Sequence, residues 1–131
     1  MSSPKIAHYV SLSELQLAVM RVLWEHGETA NAEVQSRLEP NRTLAHTTVA
    51  TLLSRLEKRG VVASRREGRQ LIYRALISEG DVRRSMVSDL ISTLFKGDPK
   101  ALMAHLVRES EMRPGDLERV RALLDRKQDD D

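Results

Sequence analysis

The stretch Thr43–Gly60, TLAHTTVATLLSRLEKRG, together with the basic run that leads on to Arg74, decides how the rest of the chain is read. On a helical wheel stepping about 100° per residue, Leu52, Leu53 and Leu56 fall within about 60° of Val49 and make one apolar stripe. The opposite side carries Thr47, Thr51, Ser54 and Lys58, flanked by Ala50 and Arg55. A merely solvated helix usually mixes Glu and Lys on its outer face. A helix that enters the major groove needs small side chains for close approach, hydroxyls for phosphates and base edges, and Arg or Lys for charge. The outer face here has that character and no carboxylate at its centre. Gly60 stands where a C′ residue at positive φ stops the helix. The plainer reading is an amphipathic core helix that happens to be basic.

The residues beyond Gly60 bear on that choice. Val61–Arg65 and Leu71–Ala75 read as two strands, with Arg66–Gln70 as the turn between them and Gly68 supplying positive φ. Upstream, Ser13 is placed to cap a first helix in which Leu15, Val19, Val22 and Leu23 recur, with Leu12 as a staple residue, Trp24 as a core anchor and Gly27 as the stop. Thr29 is placed to cap a second helix, Ala30–Leu38, and Glu39–Arg42 forms the turn into the third, near Ala45–Arg59. The order helix, helix, helix, hairpin, with a basic third helix, predicts a mainly α winged helix-turn-helix domain over residues 1–77. In that fold the third helix enters the major groove and the hairpin meets phosphate or the minor groove.

Charge is distributed accordingly. The chain of 131 residues has a formal charge of only +2. Asn41–Ser78 holds eight basic residues (Arg42, Arg55, Lys58, Arg59, Arg65, Arg66, Arg69, Arg74) against Glu57 and Glu67, a balance of +6. From Arg108 onward six basic residues face eight acidic ones, a balance of −2. A basic middle and an acidic tail fit a nucleic-acid surface on one part only. Cysteine is absent, which excludes a disulfide framework, a thiolate metal site and a cysteine nucleophile. No run of about 18 apolar residues and no signal-peptide core is present, so a soluble cytoplasmic protein without membrane insertion is expected.

Residues 78–131 read as a helical dimerisation region. Ser78 caps a fourth helix, Glu79–Phe95, with Val82, Met86, Leu90 and Leu94 recurring every four residues and Gly97 closing it. Asp98-Pro99 starts a fifth helix carrying Leu102 and Leu106. Pro114 opens a sixth with Leu117, Val120, Leu123 and Leu124 on one side, and Met112 as its staple residue. Lys127–Asp131 reads as a disordered charged end, and Met1–Ser11 as a frayed lead-in. These stripes lack a core of their own, so they are expected to pair in a homodimer through Met86, Leu90, Leu94, Leu102, Leu106, Leu117 and Leu124. Two linked recognition helices would read a palindrome.

The segments LSELQLAVMRVLWEHG, AHTTVATLLSRLEKRGVV and REGRQLIYRAL resemble the penicillinase-repressor and methicillin-resistance-repressor family of bacterial transcription regulators. The resemblance is close over Ser11–Leu76 and looser through the C-terminal helices. It implies a dimeric repressor on palindromic promoter DNA, released when a membrane sensor protease responding to a β-lactam leads to cleavage in the dimerisation helices. It carries DNA contact onto His46, Thr47, Thr48, Ala50 and Thr51, and onto the wing from Arg65 through Arg66 to Arg69. Where some members offer a long basic residue to the groove this chain has Ala50, suited to a thymine methyl. Members cut by the sensor protease have an Asn-Phe bond in the fifth helix; the corresponding bond here is His105–Leu106, so either the protease or the means of release differs. The copper-responsive branch, which uses paired cysteines, is excluded.

Catalysis is not expected. The four histidines, His8, His26, His46 and His105, form no His-x-x-x-His pair, Ser54 and Ser64 have no local base, and no Gly-rich phosphate loop appears. No cofactor and no metal is implied. Two other readings are a winged-helix regulator released by a small-molecule effector, which the scarcity of aromatics disfavours, and an adaptor that uses the fold for protein interaction. The +6 segment argues against the adaptor, because burying so much like charge without phosphates is unfavourable.

Overall fold

In the computed structural model, residues 10–38, 44–109 and 113–130 are described, 124–130 by their backbone alone. Six helices and three short strands run in the order α1 (Glu14–His26), β1 (Thr29–Ala30), α2 (Asn31–Leu38), α3 (His46–Lys58), β2 (Val62–Glu67), β3 (Gln70–Ala75), α4 (Glu79–Leu94), α5 (Pro99–Glu109) and α6 (Asp116–Asp130). The turn expected at Glu39–Arg42 and the staple residue Met112 lie outside the described residues.

α1 begins where Ser13 and Gln16 form a reciprocal capping box: the Ser13 hydroxyl accepts from Gln16 N at 3.1 Å and the Gln16 carbonyl accepts from Ser13 N at 2.9 Å. It ends at Gly27, with φ 76°. Val19, Met20, Val22 and Leu23 point inward to meet Val34 and Leu38 of α2 and Val49, Leu52, Leu53 and Leu56 of α3. Trp24 packs against this core and its Nε1 donates to Ile77 O at 2.8 Å, tying α1 to the segment after the sheet.

β1, β3 and β2 lie in that order in an antiparallel sheet. The hairpin strands are longer than expected from sequence: Arg66, Glu67 and Gln70 are paired, and the turn is only Gly68-Arg69. Gly68 has φ 63° and Arg69 does not share it, the pattern of a two-residue II′ turn whose twist suits flanking strands. β1 was not anticipated. Thr29 pairs with Tyr73, is buried, and donates its hydroxyl to Gly27 O at 2.7 Å, so it is a strand residue rather than the cap of α2.

One compact unit runs through Val87 and a second begins at Ser88. The first therefore includes the start of α4, where Val82 and Ser85 are buried and Met86 is half-buried. Ser78 caps that helix, its hydroxyl accepting from Asp81 N at 3.0 Å. The end of the expected lead-in is not frayed: Val10 is fully buried and its N–H donates to Ser85 Oγ at 2.7 Å. A shallow cleft of about 190 Å³ lies in this unit between α1 and α4, lined among others by Leu17, Arg21, Trp24, Arg83 and Met86.

In the second unit, α5 starts behind Asp98, whose carboxylate accepts from Lys100 N at 3.0 Å. α6 starts at Asp116, not at Pro114, because Gly115 has φ 90° and cannot continue a helical turn. At this start Gly115 O accepts from Arg119 N at 3.0 Å, and the Asp116 carboxylate accepts from Arg113 N at 2.6 Å, just before the helix, and pairs with Arg119. Its backbone is helical to Asp130.

Candidate nucleic-acid interface

α3 is built so that its two faces cannot exchange roles. Val49, Leu53 and Leu56 are fully buried and Leu52 nearly so, all four on one stripe. Rotating the helix would bring Thr47, Ser54, Arg55 and Lys58 into that core and leave buried polar groups unpaired. The helix ends in a Schellman motif: Val61 N donates to Leu56 O at 3.1 Å and Gly60 N to Glu57 O at 2.9 Å, with Gly60 at φ 80°. Leu56 and Val61 are both fully buried, so the chain reversal that launches β2 is pinned to the core.

The outward face of α3 carries His46, Thr47, Thr48, Thr51, Ser54, Arg55 and Lys58, all exposed, with Ala50 half-buried. Thr51 donates its hydroxyl to Thr47 O at 2.9 Å, which leaves the Thr51 oxygen lone pairs outward as acceptors. His46 meets Asn31, at the start of α2, at 3.3 Å between Nε2 and Nδ2, and no side chain caps the N-terminus of α3. Glu57, the one carboxylate of α3, is drawn to the hairpin, where its Oε2 accepts from Ser64 Oγ at 2.8 Å. That bond also joins helix to wing. Burial and the nearby Glu57 carboxylate together push the Tyr73 hydroxyl above its ordinary range.

The wing arginines differ in state. Among the described residues Arg66 and Arg69 meet no carboxylate, and neither do Arg55 and Lys58. Arg65 is held by Glu28, with Nε to Oε2 at 3.2 Å and Nη2 to Oε1 at 2.9 Å, and lies 3.6 Å from Glu67. Sequence reading missed Glu28: a lone carboxylate after a helix stop has no local signal pointing 37 residues ahead.

In the second unit the residues expected to pair are placed on exposed or half-exposed surface. Leu90, Leu94, Leu106 and Leu117 are exposed, Leu94 by 67%, and Leu102 is half-buried. The side chain of Leu124 lies outside the described residues. Met86 belongs to the first unit and packs on its core. The His105–Leu106 bond lies inside α5, with the His105 ring 5.8 Å from that of Phe95. Among the described residues there is no cluster of His, Asp and Glu able to hold a metal, and no helix long and apolar enough to cross a membrane.

A sequence model of the family described as "Penicillinase repressor" matches residues 12–126. Among characterised relatives, the methicillin resistance regulatory protein MecI of Mammaliicoccus sciuri is 22% identical over 116 residues, 88% of this chain and 94% of its own. The penicillinase repressor of Bacillus licheniformis is 24% identical over 114 residues, 87% of this chain and 89% of its own. Among solved structures, the DNA-binding domain of the repressor BlaI superposes with a TM-score of 0.51 at 34% identity, covering 60% of this chain and 93% of that one. The chain belongs to the penicillinase repressor family; its fold is a winged helix, and its relatives are repressors, not enzymes.

Proposed function

We propose that this member of the penicillinase repressor family binds a palindromic promoter operator as a homodimer in the cytoplasm and represses the genes beyond it. The observation that carries the reading is the outward face of α3: hydroxyls and exposed cations, with its only carboxylate turned away to Ser64. Thr47, Thr48, Ala50, Thr51 and Ser54 meet base edges and the groove wall. His46, Arg55 and Lys58, with Arg66 and Arg69 of the wing, meet phosphates. Two such helices about one helical turn apart, or a multiple of it, match the symmetry of a palindrome.

Dimerisation through the second unit is supported by its exposed apolar faces. Leu90, Leu94, Leu106 and Leu117 lie open, and none of its described residues is buried. A single copy gains little from these side chains, whereas a second copy would remove them from water. Release through a membrane sensor protease responding to β-lactam or cell-wall stress, by cleavage at His105–Leu106, completes the reading. Cleavage there requires α5 to open locally, since a protease takes an extended segment.

The test is binding of the purified protein to duplex DNA from upstream of its own gene, beside a scrambled duplex of equal length, at two salt concentrations. Tight sequence-dependent binding with a steep salt slope is expected. Equal, weak binding to both duplexes refutes operator recognition at that locus.

A further inference from the structure

Arg65 and Arg66 are adjacent in sequence, yet the sheet sends them to opposite faces. Side chains alternate along a strand. Ser64 and Arg66 stand opposite Tyr73 and Leu71, on the face that holds the buried Tyr73 and the Glu57–Ser64 bond to α3. Ala63, Arg65 and Glu67 stand on the other face, opposite Arg74, Ile72 and Gln70.

On that second face Ile72 pairs with Arg65 on one side and with Ala30 of β1 on the other. Arg65 therefore sits at one end of a row that crosses all three strands. At the other end, just before β1, Glu28 receives its guanidinium in a two-pronged geometry, at 2.9 and 3.2 Å. Two parallel bonds between planar groups set direction as well as attraction. Arg74 also bears on Glu28, and its charge and that of Arg65 hold the Glu28 carboxyl below the ordinary range, the Arg65 hydrogen bond contributing most. All three guanidinium nitrogens of Arg65 thus face carboxylates, two on Glu28 and one toward Glu67.

We propose that Glu28 and Arg65 form a strut that sets the angle of the wing against the helical core, so that Arg65 is a positioning residue and Arg66 and Arg69 alone carry the wing's phosphate contacts. The inference rests on the DNA-binding reading and refines it. β2 and β3 extend past the short β1, so the hairpin's outer end is held by few contacts. A brace from Arg65 to the turn before β1 resists its swing. The isolated energy of an exposed pair is small; its effect here is on geometry, which decides whether Arg66 and Arg69 reach the backbone together with α3.

The experiment measures the affinity of the full-length protein for its upstream duplex across a salt series, for Arg65→Ala, Arg66→Ala, Arg69→Ala, Glu28→Gln, Arg65→Glu and Glu28→Arg/Arg65→Glu. Loss of one phosphate contact lowers the salt slope by about 0.9. Arg66→Ala and Arg69→Ala should each show that loss. Arg65→Ala should weaken binding a few-fold with the slope unchanged. Glu28→Gln should also weaken binding, although removing a negative charge near DNA would by simple electrostatics strengthen it. The charge-reversed pair should recover most of the affinity lost in Arg65→Glu. A lowered slope in Arg65→Ala, tighter binding by Glu28→Gln, or no rescue by the reversed pair overturns the strut. Failure of the DNA reading looks different: the unaltered protein then binds operator and scrambled duplexes alike, and the strut falls with it.

Discussion

Replacing Thr51 by glutamate sets a carboxylate at the centre of the outward face of α3. Thr51 is exposed, and its hydroxyl bonds to Thr47 O within the same helix. Glutamate is also the better helix former of the two. The folded state should therefore change by no more than about 0.5 kcal/mol, as for an ordinary surface substitution. On DNA the new charge faces phosphates lining the groove. For two phosphates at about 6 Å, with an effective dielectric constant of about 40, Coulomb repulsion comes to about 3 kcal/mol. That is roughly a 100-fold loss for one half-site. If both half-sites of a dimer are engaged at once, the losses compound to about 10⁴-fold, which at working concentrations is loss of operator binding. The assay is fluorescence anisotropy with a labelled operator duplex, with thermal denaturation monitored by circular dichroism alongside. Unchanged affinity in a protein with unchanged Tm would refute the placement of this face in the groove.

Leu90→Asp should convert the dimer to monomers in sedimentation equilibrium and weaken operator binding, since Leu90 is exposed on the second unit; a variant that stays dimeric places the interface elsewhere. Ser85→Ala should leave the buried Val10 N–H without its acceptor and destabilise the fold by about 1–3 kcal/mol, read as a lowered Tm; an unchanged Tm means the N-terminal segment is not anchored there. Gly60→Ala should cost about 1–2 kcal/mol, because φ 80° places a Cβ against the carbonyl in the Schellman turn. Tyr73 has its pKa raised on folding, so its contribution is present below the unfolded value of about 10 and is lost as pH rises through the folded value. Stability should then fall in alkali, and Tyr73→Phe should flatten that fall; identical pH profiles of Tm for the two proteins would refute the burial argument.

Much of the interface was legible before any coordinate. The apolar stripe of Val49, Leu52, Leu53 and Leu56 is a period of 3.6 written into thirteen residues, and burial matches it. The Ser13 cap, the Gly60 stop and the Gly68 turn are likewise local: each depends on residues within a turn or two of one another. The limits of local signals also appear. Pro114 looks like a helix start, but Gly115 at φ 90° moves the start to Asp116. The wing arginines read as a basic patch, with no sign of which of them had partners.

What sequence determined by itself, then, is the order of the helices and the hairpin, the buried faces of α1, α2 and α3, and the basic character of α3 and the wing, because periodicity and capping act within a few residues. What tertiary structure alone decided is which polar groups are free to meet a ligand. A two-residue strand such as β1 has no period to detect; it exists because Tyr73 and Ile72 present an open edge to Thr29 and Ala30. The Glu28–Arg65 pair joins residues 37 apart and the Val10–Ser85 bond residues 75 apart. Both depend on strand register and on how helices pack, which distant parts of the chain settle jointly, so no single stretch carries the information.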